Sequence, residues 1–152
     1  YLAYVILLVE EFKMTQELQL KFNDYALHHA HPKNRLTHYL GIPLIAASTL
    51  GLFSLIKLGH IDAGFLIALI AMAFYFFLDK RIASYFMIPI ALLYYIGASS
   101  SMAVLISMQV IGWITQYIGH YVYEKKSPAF YKNLQHLLIG PIWIFAKVIH
   151  YK

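Results

Sequence analysis

From Ile82 to Tyr123 the chain carries no Asp, Glu, Lys or Arg, and that one run decides which folds are open to it. As a helix rising ~1.5 Å per residue it would reach about 60 Å, twice the ~30 Å hydrocarbon core of a bilayer. It must therefore double back, and Gly97-Ala98-Ser99-Ser100-Ser101 is the small, polar stretch where such a chain turns. Two more uncharged stretches precede it, 40–56 (LGIPLIAASTLGLFSLI) and 63–78 (AGFLIALIAMAFYFFL). The pattern predicts an all-α integral membrane bundle of four transmembrane helices, roughly 40–57, 62–78, 82–97 and 101–119, with interfacial helices at the N- and C-terminal ends. Each span is at or slightly below the usual length, so small tilts are expected. The tail 134–149 is apolar again, but Gly140-Pro141 interrupts it and Lys147 ends it. An interfacial or re-entrant helix suits it better than a fifth span. No internal repeat or linker divides residues 1–152, which are taken as a single membrane domain.

Composition agrees. Charged residues make up 12% of the 152 and the mean hydropathy is +0.62, against ~25% charged for a soluble domain. There is no cysteine, which excludes disulfides, thiolate-bound zinc and iron–sulfur clusters. Any metal must use His, carboxylate or water. Residues 1–9 are apolar but run into Glu10 and Glu11, without the basic flank and small-residue cleavage site of a signal peptide. Met14 is read as the natural start and 1–13 as an extension.

The net charge of +5 reflects topology rather than nucleic-acid binding. With four spans and the N-terminus in the cytoplasm, Lys13, Lys21, Lys33, Arg35, Lys80, Arg81, Lys125, Lys126, Lys132, Lys147 and Lys152 all fall inside, and only Lys57 falls outside. That bias follows the positive-inside rule and puts both termini in the cytoplasm, at a bacterial inner membrane or the endoplasmic reticulum. An even span count also brings the segment before the first span and the segment after the last onto one face.

Those two segments hold the chemistry. The first carries Tyr25, His28, His29, His31, Asn34 and His38, with Pro32 disfavouring helix at His31. Asn34 and His38, four apart, share a helical face. The second carries Gln116, His120 and Glu124, also spaced by four. His-x3-Glu there offers either two ligands, or one ligand with a carboxylate that orients it. A lone His at a membrane interface is most often a polar residue in the headgroup zone, and His60 and His150, which join no cluster, are read that way.

Together the clusters resemble the membrane 2-hydroxy fatty acid dioxygenases, the iron-dependent enzymes of fatty acid α-oxidation in yeast phytosphingosine breakdown and their bacterial relatives. The family pattern Tyr-x3-His, Pro-x-Asn-x3-His and a Pro opening the first span is matched by Tyr25, His29, Pro32, Asn34, His38 and Pro43. Its later pattern is matched by Gln116, Gly119, His120, Glu124, Pro128, Ala129, Asn133, Leu134 and Pro141. The likeness runs from about Met14 to the end. It departs where His28 and His31 crowd His29, and where His136 stands at a position that relatives often fill with another polar residue.

The resemblance implies an Fe(II)-dependent dioxygenase that uses O₂ to remove one carbon from a long-chain 2-hydroxy fatty acid. It implies His29, His38 and His120 as metal ligands, with His136 as a lower-ranked fourth. Asn34 and Glu124 would support the ligands, and Tyr25 and Gln116 would contact substrate or oxygen. An α-hydroxy carboxylate can chelate iron through two oxygens, so three imidazoles leave one position for O₂. The substrate itself supplies electrons, and 2-oxoglutarate is not expected.

Two other classes compete. Di-iron lipid hydroxylases and desaturases also carry about eight histidines, but in several His-x3-His and His-x2-His-His boxes, where this chain has only His28-His29-x-His31. A non-catalytic scaffold or small transporter would bind no metal, and a transporter usually places charge within its spans.

Overall fold

A computed structural model describes residues 14–151, so the reading of 1–13 as an extension lies outside the described residues. Six α-helices account for most of the chain: α1 (Gln16–Leu27), α2 (Pro32–Ser54), α3 (Ala63–Leu78), α4 (Lys80–Ala98), α5 (Met102–Tyr117) and α6 (Gln135–Val148). A π-helical segment, Ile118–Glu124, continues α5, and a single 3₁₀ turn, Ala129–Tyr131, precedes α6.

The breaks have local causes. His31 accepts a hydrogen bond from the Lys33 N–H at 3.2 Å and caps α2, with Pro32 as its first residue; proline fits there because that N–H has no helical partner. Asp62 caps α3 through the Phe65 N–H at 2.9 Å. Ser101 caps α5 after the turn expected at 97–101. The α2–α3 connection is a small antiparallel pair of two-residue strands, β1 (Lys57–Leu58) and β2 (Ile61–Asp62). The bundle is therefore helical with one hairpin, and α2 ends at Ser54 rather than reaching 57.

Among the described residues, three helices are long and apolar enough to cross a membrane: α2, α4 and α5 with its π-helical extension. The shorter apolar helix α3 has 16 residues. α2 is the central post, packed against α3, α4 and α5. It gets close through small residues: a Cβ on Gly97 of α4 would collide with the Ala47 carbonyl and crowd Gly51. Side-chain packing at such contacts is what associates helices in lipid, where no hydrophobic drive exists between them.

The main cluster of buried apolar side chains lies not in the middle of these helices but at the end where the described residues begin and finish. Leu18, Phe22 and Tyr25 of α1 pack with Ile139, Ile142 and Trp143 of α6, against Tyr75, Leu78, Ile82 and Phe86. Asp79, at the α3–α4 turn, ties this end together. Its carboxylate accepts from the Thr15 N–H (3.1 Å), the Arg81 N–H (3.0 Å) and the Tyr151 hydroxyl (3.0 Å). Residues 136 positions apart along the chain are thus fastened to one buried carboxylate, and α6 packs against both α1 and α2.

Candidate metal centre

Each histidine of interest is placed by a different device. His29 lies in the short link between α1 and α2, where Pro32 forces the chain out of helix. His38 sits on the second turn of α2. His120 lies in the π-helical segment, whose wider turn rotates side chains away from the α-helical register. That segment lies against α2 because residue 119 is glycine: a Cβ there would overlap the Asn34 and Thr37 side-chain oxygens.

The result is a group of three buried imidazoles, each exposed by no more than 3%. His29 Nε2 lies 3.0 Å from His38 Nε2, and His38 Nε2 lies 3.2 Å from His120 Nε2. The opposite ring nitrogens are committed. His29 Nδ1 donates to the Tyr25 carbonyl at 2.7 Å, and His38 Nδ1 donates to the Asn34 carbonyl at 2.8 Å. Both rings therefore carry their proton on Nδ1 and turn an Nε2 lone pair inward. Two lone pairs 3.0 Å apart with no proton between them repel; a cation shared by them removes the conflict. Nitrogens bound ~2.1 Å from one ion at adjacent positions stand about 3 Å apart, so the spacing fits a metal. Carbonyl partners that fix the tautomer of ligating imidazoles are the usual support of such sites. Burial, together with the neighbouring His38 ring, pushes the His29 imidazole down to about 3, so it is neutral and ready to ligate at neutral pH.

The surrounding residues take distinct places. Tyr25 stacks on His29, ring centroids 4.0 Å apart and planes 9° from parallel; burial pushes its phenol up, so it stays protonated. Glu124 does not lie against a His120 nitrogen, as a regular four-residue helical repeat suggests. Its carboxylate accepts from the backbone N–H groups of Ala30 (3.1 Å) and His31 (2.9 Å) and from the Asn34 amide (3.0 Å), and so anchors the link that carries His29. His120 Nδ1 has no hydrogen-bond partner.

His136 stands outside the group of three. Its Nε2 lies 2.9 Å from Asp24 Oδ2, while its Nδ1 is buried without a partner. Asp24 is the residue that sequence reasoning missed, since nothing in the spacing links it to a histidine 112 positions away. His28 caps the end of α1 and meets His136 edge to face at 5.5 Å. His31 stacks on Tyr123.

The three imidazoles open into a cavity of about 290 Å³. Tyr25, Gln116 and His136 line it near the imidazoles, and its remaining walls are mostly aliphatic and aromatic side chains of α2, α3 and α4. Gln116 Nε2 is a buried donor without a partner. A polar head beside a metal-capable cluster and an apolar body behind it match a ligand with one charged end and a hydrocarbon tail.

Comparison with known proteins gives one result. Residues 15–151 match a family model described as Mpo1-like, 2-hydroxy-palmitic acid dioxygenase Mpo1-like. None of the curated proteins and none of the solved structures matches the chain.

Proposed function

The chain belongs to the Mpo1-like family, and from that premise we propose that it is an iron(II)-dependent dioxygenase removing one carbon from long-chain 2-hydroxy fatty acids. The observation that carries this reading is the convergence of His29, His38 and His120 on one point at the head of an apolar cavity. Iron(II) held there supplies a binding point for a 2-hydroxy carboxylate and electrons for O₂, with the substrate as the further electron donor.

The chain's own residues supply position and exclusion of water. The Tyr25 and Asn34 carbonyls hold the His29 and His38 rings with Nε2 inward. Tyr25 closes one side of the site through its stacked ring. Gln116 Nε2, a buried donor in want of an acceptor, is matched to an oxygen of the substrate carboxylate. His136, with one nitrogen given to Asp24, keeps its other nitrogen for the polar end of the ligand rather than for the metal. Glu124 and Asn34 act through the backbone of 28–31. A two-metal hydroxylase centre needs more imidazoles, and among the described residues only these three converge.

The same reading places the protein as four crossings, α3 included, with α1 and α6 at the cytoplasmic interface beside the metal. A substrate entering from the bilayer would then keep its chain among the helices while its carboxylate reaches the site. The test is direct: detergent-purified, iron-loaded protein incubated with 2-hydroxypalmitate and O₂. A product one carbon shorter, abolished in His120→Ala and absent with unhydroxylated palmitate, supports the assignment. No chain shortening by a fully iron-loaded protein overturns it.

A further inference from the structure

One face of α2 lines the cavity at a four-residue repeat: His38, Ile42, Ala46 and Leu50. At ~1.5 Å per residue Leu50 lies about 18 Å below His38. The next helix, α3, runs back alongside and lines the cavity with Ile67, Ala71 and Tyr75 in the reverse order. Their register is set where Gly64 approaches the Leu50 carbonyl, which brings Ile67 near the level of Leu50 and Ala71 near that of Ala46. At this depth the helices draw together, α3 against α2 at Gly64 and α4 against α2 at Gly97. On α2 and α3 the lining of the slot stops at Leu50 and Ile67.

We propose that Leu50 and Ile67 form the floor that limits acyl-chain length, and that Ala46 and Ala71 keep the slot open one turn above it. This rests on the acyl-substrate reading given above. Ala46 and Ala71 are half-buried, with side chains too small to obstruct a chain, and they stand about 12 Å below His38 by helix rise. A large side chain at either position cuts off the last ~6 Å of the slot. A chain too long for the shortened slot cannot seat its head at the histidines, and one extra methylene in an apolar pocket is typically discriminated by about tenfold or more in kcat/KM.

The experiment measures kcat/KM for a ladder of saturated 2-hydroxy acids with wild-type, Ala71→Phe and Ile67→Ala holoenzymes, beside metal content. Ala71→Phe should bind metal normally, keep its activity on short acids and lose the longest ones that the wild type accepts. Ile67→Ala should extend the accepted range. If Ala71→Phe fails to fold, Ala46→Leu takes its place. Unchanged length profiles in metal-replete variants overturn the floor. Should the wild type turn over no 2-hydroxy acid, the functional reading fails, and the slot is then judged by binding. Plain saturated fatty acids are titrated into metal-free protein and read by intrinsic fluorescence, to which Trp113 in the lining contributes. A length limit that moves in Ala71→Phe supports the floor. Affinity without a limit, or no binding, overturns it.

Discussion

The Glu124 carboxylate and the Asn34 amide meet at 3.0 Å across 90 residues of chain. The same carboxylate also holds the Ala30 and His31 N–H groups. One acid thus fastens the end of the π-helical segment bearing His120 to the link bearing His29. Glu124→Gln keeps the shape but replaces an acceptor oxygen by a donor facing donors. We expect the variant to fold and to bind metal ~10–100-fold more weakly, as for other groups that orient ligands. Metal titration of apoprotein measures this.

His136 separates from the other three histidines in a way that metal analysis can see. His29→Ala, His38→Ala and His120→Ala should each lose bound metal. His136→Ala should keep it and lose activity, with the defect reproduced in part by Asp24→Asn. Loss of metal in His136→Ala at wild-type stability would restore it as a ligand.

Gly119→Ala places a methyl group against Asn34 and Thr37. Overpacking of this kind typically costs about 1–3 kcal/mol, and here the displaced segment carries His120. The expected result is a lower Tm together with a reduced metal affinity, whereas a surface glycine such as Gly59, replaced in the same way, should leave metal affinity unchanged.

Acid should act on the empty site before the filled one. The His29 imidazole titrates near 3 when folded and near 6.5 when unfolded. The unfolded chain therefore binds the proton first, and metal-free protein loses stability as pH falls below about 6.5 towards 3. Bound metal holds His29 deprotonated, so thermal unfolding at pH 7.5, 6 and 5 should show a steeper loss for the metal-free form. Parallel curves for the two forms would mean that His29 is not a ligand.

The helices were largely legible from the sequence, and the reasons are physical. A charge-free run longer than a bilayer forces a turn, and it falls at Ala98–Met102. Pro32 separates α1 from α2, as its steric effect on His31 requires. The even span count already put the two histidine segments on one face, but the choice of His29, His38 and His120 among eight histidines rested on the resemblance. What stayed hidden depends on departures from regular geometry or on long-range pairing. The π-helical turn removes Glu124 from the place a four-residue repeat gives it. The Asp79 knot and the Asp24–His136 pair join positions with no shared pattern. The extension of α2 down to Pro32, through charged and polar residues, is carried by packing against the π-helical segment rather than by hydropathy.

The most direct measurement is metal content of the purified protein by mass spectrometry, beside the His29→Ala/His120→Ala double variant. The account predicts about one iron per chain in the wild type and none in the variant. Two metals per chain, or iron retained by the double variant, would contradict it.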